Sequence, residues 1–152
     1  MSRNKIEQIG ERLKEQSTHA VRRSNLIAAQ LKINPTDLEA LEVLLRNGKA
    51  TAGTLSSETG ISGGAVTKMI DRLEKADFVK RVLDKSDRRK VIIEPNLNTI
   101  QQRVFPLYAP LIAATTELFK TYSDQELDII NGFMEKILQI SSDDLNQMTS
   151  DL

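Results

Sequence analysis

Apolar and small residues recur every three or four positions at Ile6, Ile9, Leu13, Ser17, Ala20, Ser24, Ile27 and Leu31. That spacing predicts one long helix with a single stripe turned toward a partner. Asn34-Pro35-Thr36-Asp37 ends it and opens the next helix, because Asn34 can cap and Pro35 suits the first helical position. Leu38, Leu41 and Leu45 then predict a short amphipathic helix stopping near Asn47-Gly48. A third helix follows, with Thr51 as cap, Leu55 inward and Gly60 as a left-handed terminator. Only Gly60-Ile61 separates it from Ser62, the next candidate cap. Two short helices joined by a tight glycine-containing turn form a helix-turn-helix. The second of them, over 62–76, turns Val66, Ile70 and Leu73 inward and Thr67, Lys68, Asp71, Arg72 and Lys75 outward.

After Asp77 the period shortens. Residues 78–83 and 90–94 read as two strands, and Asp84-Lys85-Ser86-Asp87-Arg88-Arg89 as the charged tip between them, so a hairpin follows the helix pair. Pro95 closes it. A new stripe runs through Leu97, Ile100, Val104, Leu107, Leu111, Thr115, Leu118 and Tyr122, with a kink or break expected at Pro106 and Pro110. Ser123-Asp124-Gln125-Glu126 is a capping box for a last helix that turns Leu127, Ile130, Met134 and Ile137 inward and frays from Ser141. The fold class expected is mainly α with a small antiparallel β-hairpin wing: a winged helix-turn-helix over 34–95 between helical flanks over 1–33 and 96–152.

Composition narrows the chemistry. A chain of 152 residues has room for one domain, and aromatic residues at 4% tilt the balance from sheet toward helix. The chain has no cysteine, which removes disulfides, thiolate metal sites and thiol nucleophiles together, and the single His19 cannot build a His-rich metal site. No apolar run follows the charges of Met1-Ser2-Arg3-Asn4-Lys5-Ile6, and no stretch reaches the roughly 18 apolar residues of a membrane helix, so a cytoplasmic protein without a cofactor is expected. Without a nucleophile–base pair or a glycine-rich phosphate loop, no enzyme can be assembled from these residues.

Net charge is zero, yet its distribution is uneven. Residues 63–94 carry nine basic side chains against six acidic ones, while the tail after Ala114 carries eight carboxylates against Lys120 and Lys136. Such a chain can present one positive face. The major groove of B-DNA admits a helix whose outer face bears short polar and cationic groups, and the helix over 62–76 has that division. Ser62 and the first-turn N–H groups can hold a phosphate, Gly63 and Gly64 let the backbone approach closely, and Thr67 and Lys68 stand where base edges are reached. Arg72 and Lys75 suit phosphates. The tip offers Lys85, Arg88 and Arg89 to a narrow minor groove, with Asp87 placed to orient the Arg89 guanidinium by a charged hydrogen bond. A winged helix used only for protein contact would instead carry apolar residues where Lys68, Arg72 and Lys75 stand.

The runs 35–41, 60–67 and 71–76 and the wing residues 84–89 resemble the MarR family of bacterial transcription regulators over about 60 residues. The resemblance implies a homodimer whose first and last helices interlock, bound to double-stranded DNA at a pseudo-palindrome, usually as a repressor. It places Ser62, Thr67 and Lys68 at recognition positions and matches Asp87 and Arg89 to a wing pair with the arginine in the minor groove. It further implies a small aromatic or anionic effector between the dimerisation helices and the winged helix, for which His19, Arg22, Arg23, Phe105 and Tyr108 are the residues to search. Gly63 and Gly64 depart from the larger polar residues common in the family, and Asp77 replaces the usual helix-ending glycine.

Overall fold

A computed structural model describes residues 3–150, residue 3 by its backbone alone. The expected bounds at 1 and 152, and the Met1-Ser2 end of the leader reading, lie outside them. Backbone contacts divide the chain into two units, Met1–Leu107 and Tyr108–Leu152. Among the described residues no helix is long and apolar enough to cross a membrane.

The first unit opens with α1 (Arg3–Leu31), the single long helix its stripe predicts. Lys32 ends it in a left-handed conformation (φ 59°), and the Ile33 N–H bonds back to the Ala28 carbonyl at 3.0 Å. In α2 (Pro35–Asn47) proline takes the first helical position as expected. Leu38, Leu41 and Leu44 are buried, and Leu45, expected inward, is only half-buried beside them. α3 (Ala52–Thr59) is capped by Thr51, whose hydroxyl accepts from the Thr54 N–H at 3.1 Å. Gly60 stops it at φ 69°, a conformation that costs glycine nothing.

The recognition-type helix α4 (Gly63–Lys75) buries Val66, Met69, Ile70 and Leu73 against α2 and α3. Asp77 follows at φ 63°, so an aspartate does take the left-handed position. Its carboxylate accepts from Asn96 Nδ2 at 3.1 Å and Thr99 Oγ1 at 2.8 Å, which secures the turn. Strands β1 (Val79–Leu83) and β2 (Val91–Pro95) pair antiparallel with Val79 opposite Pro95 and Leu83 opposite Val91. Each starts one residue later than the apolar runs indicate, with Phe78 drawn into the core, and β2 also ends one later, with Pro95 in the ladder. Ala50, between α2 and α3, adds a one-residue third strand by exchanging backbone hydrogen bonds with Ile93 at 3.0 and 2.8 Å. The root of the hairpin is thereby tied to the helix-turn-helix.

After the hairpin come α5 (Leu97–Arg103) and α6 (Phe105–Phe119). The break between them falls at Val104, ahead of both prolines. Pro106 sits in the first turn of α6, where a missing N–H is harmless, and Pro110 is accommodated inside the helix. Arg103 reaches back to the end of α4: Nη1 donates to the Ala76 carbonyl at 3.0 Å and the guanidinium lies 4.5 Å from the Phe78 ring centroid.

The second unit holds the rest of α6 and α7 (Asp124–Ser150). The Ser123 capping box forms, with the Ser123 N–H donating to Glu126 Oε2 at 2.8 Å and the Glu126 N–H donating to Ser123 Oγ at 3.4 Å. The fraying expected from Ser141 is not seen: α7 continues to Ser150, with Leu145 and Met148 exposed on this last stretch. Leu127, Ile130 and Ile137 are half-buried, Met134 is exposed, and no α7 side chain is fully buried.

Candidate nucleic-acid interface

Every candidate DNA-binding residue lies in the first unit, on α4 or on the tip between β1 and β2. The core contacts of α4 leave Ser62, Gly63, Gly64, Ala65, Thr67 and Lys68 exposed along its first two turns. Ser62 holds the cap position in extended backbone (φ −63°, ψ 153°), but its hydroxyl caps nothing within the chain and stays free for an external acceptor or donor. Thr67 Oγ1 donates to the Gly63 carbonyl at 3.1 Å. Lys68 and Lys75 are exposed and have no ion-pair partner among the described residues.

Arg72 requires a correction. Expected to face outward to phosphate, it turns to Asp37 at the start of α2, donating from Nε to Oδ2 at 3.1 Å and from Nη2 to Oδ1 at 2.5 Å. Asp37 is fully buried and also accepts from the Asn34 N–H at 3.1 Å. A buried carboxylate demands such partners, so the Arg72 guanidinium turns to Asp37 while its side chain stays 46% exposed, and the bond to Asp37 raises its already high pKa. On the other flank of α4, Arg81 of β1 bridges Asp71 (2.5 Å) and Glu74, and the two carboxylates raise its pKa likewise. Sequence reading assigned no role to Asp37 or Arg81, because neither shares a periodic pattern with its partner.

At the hairpin tip Asp84 is the organiser. Its Oδ1 accepts from the Ser86 N–H at 2.8 Å, the Asp87 N–H at 3.0 Å and the Ser86 hydroxyl. These hydrogen bonds, with the charge of Lys49 nearby, lower its pKa to about 2. The signal was present as an Asp two residues before a Ser. Asp87 also differs from expectation: its carboxylate accepts from the backbone N–H of Arg89 at 3.1 Å, fixing the chain direction there and not the guanidinium. Lys85, Arg88, Arg89 and Lys90 are exposed around this turn.

Sorting the charges of residues 63–94 resolves the zero net charge. Asp71, Glu74, Asp77, Asp84 and Asp87 are engaged as described, and Glu94 pairs with Lys80 across the strands at 3.2 Å. Arg72, Lys80 and Arg81 are held by these or by Asp37. Six cations remain outside any described ion pair: Lys68, Lys75, Lys85, Arg88, Arg89 and Lys90. Each carboxylate of the segment has a partner within the chain, although Asp71 stays 60% exposed, whereas these six cations have no ion-pair partner among the described residues.

His19, Arg22 and Arg23 share one side of α1, Phe105 opens α6 at 50% exposure, and Tyr108 belongs to the second unit. Arg22 lines a 480 Å³ surface recess with Lys14, Ser17, Thr18, Val21 and Asn25. A 510 Å³ recess between α1 and α2, not anticipated from the sequence, is lined by Glu39 and Glu42. Partial burial, and then the charge of Glu42, raise the Glu39 pKa.

Comparison with known proteins agrees with this architecture. The MarR family model matches residues 33–91. An uncharacterized HTH-type transcriptional regulator of Bacillus subtilis, YcgE, is 36% identical over 97% of this chain and 96% of its own. A MarR family protein from Bacillus stearothermophilus shares the fold with a TM-score of 0.69 at 21% identity, over 93% of this chain and 99% of that one. FabT of Streptococcus pneumoniae, solved in complex with DNA, superposes with a TM-score of 0.67 at 20% identity, over 91% and 98%. Full-length identity at that level, joined to a helix-turn-helix with a charged wing, places the chain in the MarR family of winged-helix transcriptional regulators.

Proposed function

We propose that the protein is a homodimeric repressor that binds a pseudo-palindromic operator, with α4 in the major groove and the hairpin tip in the adjacent minor groove. The observation that carries this reading is the charge sorting: six unpaired cations on two neighbouring elements, with each carboxylate of the same segment engaged by hydrogen bonds. In this reading Lys68 and Thr67 meet base edges, Ser62, Gly63 and Gly64 bring the helix N-terminus to a phosphate, and Lys75 and Lys85 hold the backbone. Arg88 and Arg89 serve the minor groove. Residues 34–95 are the DNA-binding part, and 1–33 with 96–152 the dimerisation part. Apolar side chains open on the flanks, among them Ile6, Ile9, Ile129, Leu138, Ile140 and Leu145, support a partner there, and a like copy suits a symmetric site. DNA complexes of FabT and of other structural neighbours lend support by likeness. A cytoplasmic setting goes with the role.

A small-molecule effector belongs to the reading through family resemblance, with Arg22 and its recess as the first place to test an aromatic anion.

The test is equilibrium binding to duplexes selected from a random pool. Half-sites should lie about 10 bp apart, centre to centre. Affinity should fall roughly 10³-fold between 50 and 200 mM salt. Arg89→Ala should weaken binding about tenfold or more while the fold and dimer persist. Wild-type affinity in that variant would remove Arg89 from the interface.

A further inference from the structure

The first turn of α4 carries two glycines that nothing inside the molecule requires. Gly63 and Gly64 are helical, neither has a positive φ, and a Cβ built on either would meet nothing within 4 Å. Glycine disfavours a helix relative to alanine, so two in succession weaken this one without relieving any clash. The reason for them lies outside the chain, at a surface that must come close.

What the rest of this face offers is equally spare. Ala65, the third exposed residue of the turn, ends in a methyl group. Thr67 has committed its hydroxyl proton to the Gly63 carbonyl, leaving a methyl group and an oxygen lone pair for a partner. Asp71, one turn further, is held by Arg81. Lys68 is the one unpaired charged side chain within these two turns. The reading surface is thus a small apolar floor beside one ammonium group. In the major groove the apolar feature of a base edge is the thymine C5-methyl, and the acceptors that suit a lone ammonium are guanine O6 and N7.

Resting on the DNA-binding reading above, we propose that α4 selects its half-site chiefly by thymine methyl groups seated against Gly64, Ala65 and Thr67, with a neighbouring guanine held by Lys68. From Gly63 to Thr67 the one hydrogen-bonding side chain is that of Thr67, its proton committed to Gly63, so this stretch offers the amino groups of adenine and cytosine little to bond.

The test uses the full chain and its selected duplex, with single thymines of the half-site replaced by deoxyuridine, which removes the methyl alone. Each contacted methyl should be worth about fourfold in affinity, the factor associated with one buried methyl group. Thr67→Val, which keeps the apolar branches, should bind within about twofold of wild type. Thr67→Ser should lose about fourfold and become indifferent to uracil at one position. Replacing the guanine by 7-deazaguanine should weaken the wild type and leave Lys68→Ala unchanged. The proposal is overturned if uracil serves as well as thymine, if the selected half-site holds no thymine, or if Thr67→Ser is harmless while Thr67→Val is not. The uracil arm needs no protein variant, so misfolding cannot cloud it. A defined operator blind to uracil sinks this inference alone; failure to select any duplex sinks the DNA-binding reading with it.

Discussion

Asp84 shows how much one side chain can organise. Three donors converge on its Oδ1, and together they hold four basic residues around a single turn. Because its pKa is depressed from 3.8 to about 2, the folded turn prefers the carboxylate. The stabilisation is therefore complete above about pH 4 and is lost as pH falls through about 2. Amide signals of Ser86 and Asp87, followed by NMR, should hold steady from neutral pH down to about 4 and move below it. Asp84→Asn should weaken the turn at every pH and abolish that dependence. A tip that moves instead around pH 6 to 7 would mean another group controls it. Asp77 acts on the same scale, supplying both the left-handed residue and the acceptor that locks it.

At the scale of elements, α4 is held from two sides. Arg72 clasps Asp37 of α2, and Asp71 with Glu74 clasp Arg81 of β1. The Asp-Arg-Leu-Glu run at 71–74 is thus two ties around one core leucine, its three charged side chains exposed yet held within the chain. Arg72→Ala should lower unfolding stability by about 1–2 kcal/mol, because it removes the charged partner of a buried carboxylate while leaving water a path to it from the exposed side. The Asp37→Ala, Arg72→Ala double variant should lose clearly less than the sum of the single losses. The salt slope of DNA binding should hardly change with Arg72→Ala, whereas loss of a phosphate contact would reduce it by about one. Thermal unfolding and a salt titration check both. The helices, the hairpin, the caps at Thr51 and Ser123 and the cap position of Ser62 were legible in the chain because periodicity and capping act locally. The break beside Pro106 was legible to within two residues, falling at Val104, but the Arg72–Asp37 tie was not, since 35 residues separate that pair and no local rule links them. The lysines and arginines of the site could be named from the sequence, but which were already spoken for could not.

For the molecule as a whole, neutrality and affinity for a polyanion are compatible, since the count of charges says nothing of where they point. The proposed dimer follows from the exposed apolar residues of the flanks and predicts a sedimenting species of twice 17.0 kDa. Leu138→Asp or Ile140→Asp should shift that species toward monomer and weaken operator binding about 100-fold, as expected when two linked half-sites become independent. Unchanged sedimentation in both variants would place the partner surface elsewhere. The Arg81 bridge has a consequence for such a pair. It joins the root of the wing to the recognition helix, and Ala50 joins the same root to the linker before α3, so both reading parts travel together. In the proposed dimer the two reading heads would then act like the jaws of a caliper, and a change of DNA affinity would have to come from the span between them.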